Sequence, residues 1–320
     1  MNIKKYTIIF WSILSFIIVS IIFGCYRYLP VFSKQYKIGA TYMTMNNSFY
    51  TALNEQVVKK VSENSDILYT RDPALDSARQ AKQIRKLVDE GIDGLIINPV
   101  DGNDKQINAA VDYAKKKHIK IVIVDSQLYK NDSPDTTILS NNYDAGVLCA
   151  KDMMKEVKSA HILLLEHRSA YSAVDRIRGF EDTIKGNKNY HIAARADCLG
   201  QTELAMPKVQ EVIKKGISFN VIMALNDPSA LGALASLENN NLHHKVYVYG
   251  VDGSPDVKRL LKETSYVQAT AAQSPLTMGQ KAIESIYKLL ASKKVSRQII
   301  VPVSLITRKI INDYDISGWQ

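Results

Sequence analysis

"KVYVYGVDGSPD", residues 245–256, sets an apolar run from Val246 to Val251 directly ahead of Asp252, Gly253, Ser254 and Pro255. A continuously apolar run is what a strand covered on both faces requires, as in parallel sheets. A bare carboxylate at the end of such a strand either closes a turn or faces a ligand. The pattern recurs along the chain, and its recurrence decides between these readings.

From Tyr36 onward eleven strand-like runs alternate with helix-period segments. They start at "YKIGATY" (36–42), pass through "DGLIINP" (93–99), "KIVIVD" (120–125), "HILLLE" (161–166) and "NVIMAL" (220–225), and finish at "QIIVPVSLI" (298–306). The first helical segment, 48–64, puts Phe49, Leu53, Val57 and Val61 at fourfold spacing, one apolar stripe of an amphipathic helix. Repeated βα units imply parallel sheets with right-handed crossovers. Eleven strands exceed one comfortable core, so the expected fold is α/β in two similar lobes, with a closed αβ barrel as the alternative.

In open α/β sheets ligands bind beyond the carboxyl ends of the strands. At those ends stand Asn47, Phe49 and Tyr50 after the first strand, then Asn98, Asp125, Arg176, Asn226, Asp252 and Gln273. Each has a plain structural reading. Asn47 or Ser48 could cap the next helix, Asn98 could close a turn before Pro99, and Arg176 could form a surface ion pair. Asp227 and Ser254, ahead of Pro228 and Pro255, are read as caps. As a set, a ring of Asn, Asp, Arg and Gln at successive strand ends exceeds what capping needs. Carboxylates accept paired hydrogen bonds, Arg donates them in a fork, and amides do one of each. A ligand with many neighbouring hydroxyls matches that inventory, and Phe49 and Tyr50 offer flat surfaces for the C–H face of a sugar ring.

Other chemistries fit less well. There is no P-loop and no GxGxxG for a phosphate or dinucleotide. The cysteines Cys25, Cys149 and Cys198 lack metal-ligand spacing, so neither a metal nor a cofactor is expected. The net charge of +9 is spread over scattered Lys and Arg without aromatic interleaving, which speaks against nucleic-acid binding. Asp125 and Asp252 could be imagined as a glycosidase pair, but an apolar setting for a general acid is missing and Arg176 should keep nearby carboxylates charged, so no enzyme is expected.

The N-terminus is separate in kind. After Lys4 and Lys5, "YTIIFWSILSFIIVSIIFGCYRYLP" (6–30) carries no charge until Arg27. That is the length of a membrane-crossing helix, and long for a cleaved signal segment. Residues 1–30 are therefore read as an N-terminal membrane anchor or signal segment. "IFGC" (22–25) loosely resembles a lipoprotein cleavage box, which makes Cys25 a candidate lipidation site, although Phe23 is bulky for that motif. Basic residues flank both ends, so charge does not orient the helix; the large domain is taken to lie on the extracytoplasmic side of the cell membrane.

"TMNNSFY", "LIINPVD", "VIVD", "RIRGF", "ALNDPSALGAL", "YGVDGSPD" and "ATAAQSP", in that order, resemble the ribose-, galactose- and xylose-type sugar-binding proteins of bacterial import systems. These share the type I periplasmic-binding-protein fold, and the likeness covers about residues 36–306. It implies two lobes, 36–139 plus 273–301 and 140–272 plus 302–320, joined by three hinge crossings. It also implies sugar contacts at Asn47, Phe49, Tyr50, Asn98, Asp125, Arg176, Asn226, Asp252 and Gln273. Two positions depart from the ribose-type pattern: Ser126 stands where Arg is usual, and Cys198 where an aromatic is usual. The implied ligand is a monosaccharide, a pentose or hexose such as xylose, ribose or galactose. The anchor and the short linker from Arg27 to Gln35 favour a fixed signalling partner, a sensor histidine kinase ectodomain. The alternative is the substrate-binding lipoprotein of an ABC importer, with a permease as partner. A related repressor would need an N-terminal helix-turn-helix where this chain has its apolar segment.

Overall fold

The computed structural model describes residues 3–28, 34–129, 131–240 and 244–320; most of the linker ahead of Lys34, residues 29–33, lies outside them. The chain divides into two compact units, residues 1–36 and 37–320. The first contains helix α1 (Ile3–Tyr28), of 26 residues. Its stretch Tyr6–Cys25, 20 residues, is long and apolar enough to cross a bilayer. Large apolar side chains along it, such as Phe10, Trp11 and Phe16, are exposed.

The second unit alternates strand and helix. Its first half runs β1 (Lys37–Thr41), α2 (Ser48–Glu63), β2 (Ile67–Arg71), α3 (Ser77–Asp89), β3 (Gly94–Ile97), α4 (Lys105–Lys116), β4 (Lys120–Val124) and β5 (Thr136–Ser140). The second half runs α5 (Asn142–Glu156), β6 (Ala160–Glu166), α6 (Tyr171–Ile184), β7 (Tyr190–Asp197), α7 (Thr202–Lys214), β8 (Val221–Ala224), α8 (Asp227–Asn240), β9 (Tyr247–Asp252), α9 (Pro255–Glu263) and β10 (Val267–Ala272). It closes with α10 (Pro275–Leu290), β11 (Gln298–Val301) and β12 (Ser304–Thr307).

The strands form two open six-stranded sheets, ordered β11-β5-β4-β3-β1-β2 and β12-β10-β9-β8-β6-β7. Every pairing is parallel except β10 with β12. This is the two-lobed α/β architecture rather than the closed barrel. The chain passes between lobes three times: after β5, after β10, and between β11 and β12. The run 298–306, read in sequence as one strand, is two strands in different sheets. Pro302 lacks the N–H a ladder needs, and the chain breaks there to change lobe.

The sheets are continuously apolar because helices cover both faces. Leu95, Ile96 and Ile97 of β3 and Ile121 to Val124 of β4 are fully buried, each such side chain contributing about 1.5–3 kcal/mol. In the second lobe α5 and α6 meet backbone to backbone through two glycines. A Cβ on Gly146 would lie 1.8 Å from the carbonyl oxygen of Arg176, and one on Gly179 would lie 2.1 Å from that of Tyr143. This close approach sets α6 deep enough for Arg176 to reach the region between the sheets. Gly146→Ala should therefore destabilise the fold by about 1–3 kcal/mol or more, read as a lower urea midpoint at unchanged slope.

Candidate functional site

The carboxyl ends of β3, β4, β8, β9 and β10 converge on one point, and Arg176 stands at its centre. Its Nη2 lies 3.5 Å from Asp125 Oδ1, which follows β4 of the first lobe. Its Nη1 lies 3.8 Å from Asp252 Oδ1, at the end of β9 of the second lobe. The guanidinium is fixed by donating from Nε to Asn142 Oδ1 at 2.8 Å and from Nη1 to the Leu225 carbonyl at 3.0 Å. All three charged side chains are 4 % exposed.

Each carboxylate has its own cradle. Tyr50 donates its hydroxyl to Asp125 Oδ2 at 3.0 Å, and Asn98 Nδ2 donates to the same oxygen at 3.3 Å. Asn98 also ties strand ends together, accepting from the Met43 amide and donating to the Val124 carbonyl. Gln273 Nε2 donates to Asp252 Oδ1 at 2.6 Å, and the Asp227 amide donates to Asp252 Oδ2 at 3.3 Å. Both aspartates have left-handed backbone, φ 63° at Asp125 and 139° at Asp252, a conformation that costs a non-glycine residue about 1–3 kcal/mol and clusters at functional sites. Among the described residues, the buried oxygens Asp125 Oδ1 and Gln273 Oε1 have no hydrogen-bond partner.

Burial dominates the proton equilibria. It raises the Asp125 pKa, against the opposing pull of Arg176 and the bonds from Tyr50 and Asn98. Burial also raises Asp252 well above the usual carboxylate range, and the neighbouring Asp227 carboxylate adds to the rise while Arg176 opposes it. Tyr50 is pushed up by burial and by Asp125.

The remaining expected residues divide by role. Asn47 caps α2, accepting from the Phe49 amide at 2.9 Å, and lines the small cavity beside Arg176. Asn226 lines the same cavity, but its side chain also caps α8 by accepting from the Ser229 amide at 3.0 Å. The cap at this helix is therefore Asn226, not Asp227 as expected from sequence. Asp227 is the first residue of α8 and is fully buried, accepting from the Ser254 amide and the Thr270 hydroxyl, both at 2.7 Å. Ser254 does cap α9. Phe49 is 3 % exposed, with its ring edge-on to Tyr50 and to Trp319. Tyr50, Asp125 and Arg176 line the cavity; Phe49, Asn98, Asp252 and Gln273 sit around it.

Sequence reading missed Asn142, which orients Arg176, along with His167, Gln201 and Ser172, which line the cavity. Asn142 opens α5 just past a lobe crossing, and nothing local distinguishes it from a cap. Cys198 is 1 % exposed with its Sγ against Ser229 Oγ, so it faces the core and supplies no stacking surface. The cavity measures about 30 Å³, room for a few water molecules at most. Ligand pockets run to roughly 300–1,000 Å³, so a sugar-sized guest requires the lobes to part. The lobes meet at the rim through Tyr171, whose hydroxyl donates to Asn103 and whose ring stacks on Tyr129, and through Asn46 and Glu203.

Two hinged α/β lobes closing over a polar cluster define a bilobal ligand-binding protein. Residues 38–294 match the family described as "Periplasmic binding protein domain", and the chain belongs to that family, in its type I fold. It is 27% identical over 278 residues to the ribose import binding protein of Bacillus subtilis, covering 86% of this chain and 88% of that protein. An ABC transporter solute binding protein from Mycobacterium smegmatis with bound glycerol superposes with a TM-score of 0.83 at 25% identity, covering 90% of this chain and 98% of that one. One from Bacillus halodurans with bound myo-inositol gives 0.82 at 20% identity, covering 89% and 99%, a likeness of fold.

The buried acids carry a pH signature. A carboxylate with a raised folded pKa binds more protons folded than unfolded between the two values, so its contribution makes stability fall as pH rises across that window. For Asp227, raised by burial to about 6, the window opens at the ordinary value of 3.8. Calorimetric melting temperatures should carry this downward contribution between pH 4 and 6, and the contribution should vanish in Asp227→Asn, which removes the titrating group.

Proposed function

We propose that this chain is an extracytoplasmic monosaccharide-binding receptor that closes its two lobes around a pentose or hexose. The observation that carries the reading is the interlobe cluster of Asp125, Arg176 and Asp252 with two buried oxygens, Asp125 Oδ1 and Gln273 Oε1, that have no hydrogen-bond partner among the described residues. Sugar hydroxyls both donate and accept, so they suit these acceptors and the guanidinium together. Asn47, Tyr50, Asp125, Arg176 and Asn226 are the proposed direct contacts, since they line the cavity. Phe49, Asn98, Asp252 and Gln273 are proposed to complete the set when the lobes close on a sugar. Only the closed form brings both lobes to one ligand, so sugar shifts the population toward closure; hinge closure of periplasmic binding proteins is itself a standard instance of this.

The relatives named as ribose import binding proteins support a binding role, not a catalytic one, and a place beside an ABC permease. Ser126 and the inward-facing Cys198 remove one cation and one stacking face from the ribose-type pattern, which supports a sugar other than ribose as the preferred ligand. Helix α1 supports tethering in the membrane rather than free diffusion. That tether is the one observation favouring the second reading, in which the partner is a sensor histidine kinase ectodomain. Lipidation at Cys25 is the alternative form of anchoring.

A thermal-shift panel of aldopentoses and aldohexoses should raise the melting temperature with one or a few sugars; a flat panel would count against sugar binding. With the best of them, Asp252→Ala should weaken calorimetric affinity about 10- to 100-fold or more, the range for a hydrogen bond to a charged group. Pull-down with permease or kinase ectodomain, with and without that sugar, separates the two partners.

A further inference from the structure

Residues 308–320, past the last strand, belong to none of the family's matched region. They nevertheless form a fixed part of the fold. A 3₁₀ turn at Ile311–Asp313 packs on α9, with Ile311 buried. Lys258 of α9 has no exposed surface, and its ammonium donates to the carbonyls of Asp315 and Gly318. A buried ammonium is costly unless its donors are satisfied, so these two carbonyls are required partners. Asp315 in turn accepts from the amide and hydroxyl of Ser317, which shapes the bend. The segment is thus strapped to the second lobe.

Its end reaches the other lobe. The ring of Trp319 meets Phe49, at the start of α2, with centroids 5.8 Å apart and planes at 80°, an attractive edge-to-face geometry. Phe49 in turn lies edge-on to Tyr50 at 5.4 Å, and Tyr50 holds Asp125. We infer that Trp319 is a positioning residue of the binding site: it bridges the lobes through Phe49, fixes the aromatic pair that holds Asp125, and slows release of the bound sugar. The contact is distinct from the three chain crossings, because it forms only when the lobes are together. This inference rests on the sugar-binding reading for its effect on release, but the bridge itself can be tested without sugar.

The chain has two tryptophans, Trp11 in α1 and Trp319. Full-length protein carrying Trp11→Phe therefore reports Trp319 alone. Without sugar, Phe49→Ala in this background should increase acrylamide quenching of Trp319; unchanged quenching would overturn the bridge. With D-ribose as probe, or the best sugar of the panel, stopped-flow release should be about 3- to 10-fold faster in Trp319→Ala, the range of an edge-to-face pair. Association should change less than twofold, and Trp319→Phe should recover most of the loss, which a general folding defect would not allow. Equal release rates in parent and Trp319→Ala would refute the positioning role. If no sugar binds while Phe49→Ala still exposes Trp319, the bridge stands and the sugar-binding reading fails.

Discussion

A single guanidinium held between two carboxylates from different lobes organises this molecule. Arg176 comes from α6, Asp125 from the end of β4, and Asp252 from the end of β9. Burying a guanidinium and two carboxyl groups is expensive, and their attraction offsets that cost only with good geometry and further hydrogen bonds. The fold supplies both. The Gly146–Gly179 contact sets the depth of α6, Asn142 and Leu225 fix the guanidinium plane, and Tyr50, Asn98 and Gln273 hold the carboxylates. The left-handed backbone at both aspartates is the local strain that this arrangement sustains.

Much of this was legible in the sequence because parallel sheets announce themselves. Short runs such as "VYVYGV", rich in β-branched and aromatic residues, fit strands buried on both faces, and the polar residue that ends such a strand lies at the sheet's carboxyl edge. Arg176 lies within α6 and was pointed to by the family resemblance, but the strand-end positions of Asp125 and Asp252 followed from that logic. The assignment of caps did not, because Asn226 and Asp227 are adjacent and both types cap well. What separates them is three-dimensional: the Ser254 amide and Thr270 hydroxyl converge on Asp227 from other elements. The split of 298–306 was hidden for a related reason, since Pro302 marks a break but not a change of sheet.

Residues with no periodic pattern left no trace. Trp319 sits in a stretch without strand or helix signal, and its partner Phe49 is 270 positions earlier in the chain. Phe49 was read as a surface for sugar, and its ring also makes T-shaped contacts with Tyr50 and Trp319. An aromatic at a strand end is as suited to orienting its neighbours as to stacking on a guest, and sequence does not distinguish these uses.

The small cavity has a consequence for selectivity. Apart from Asp125 Oδ1 and Gln273 Oε1, most polar atoms around Arg176 are already hydrogen-bonded to another part of the protein. For a hydroxyl-bearing guest, binding there would be largely an exchange reaction, in which most incoming groups displace an internal partner. A guest with one hydroxyl misdirected leaves both itself and the displaced protein group unmatched.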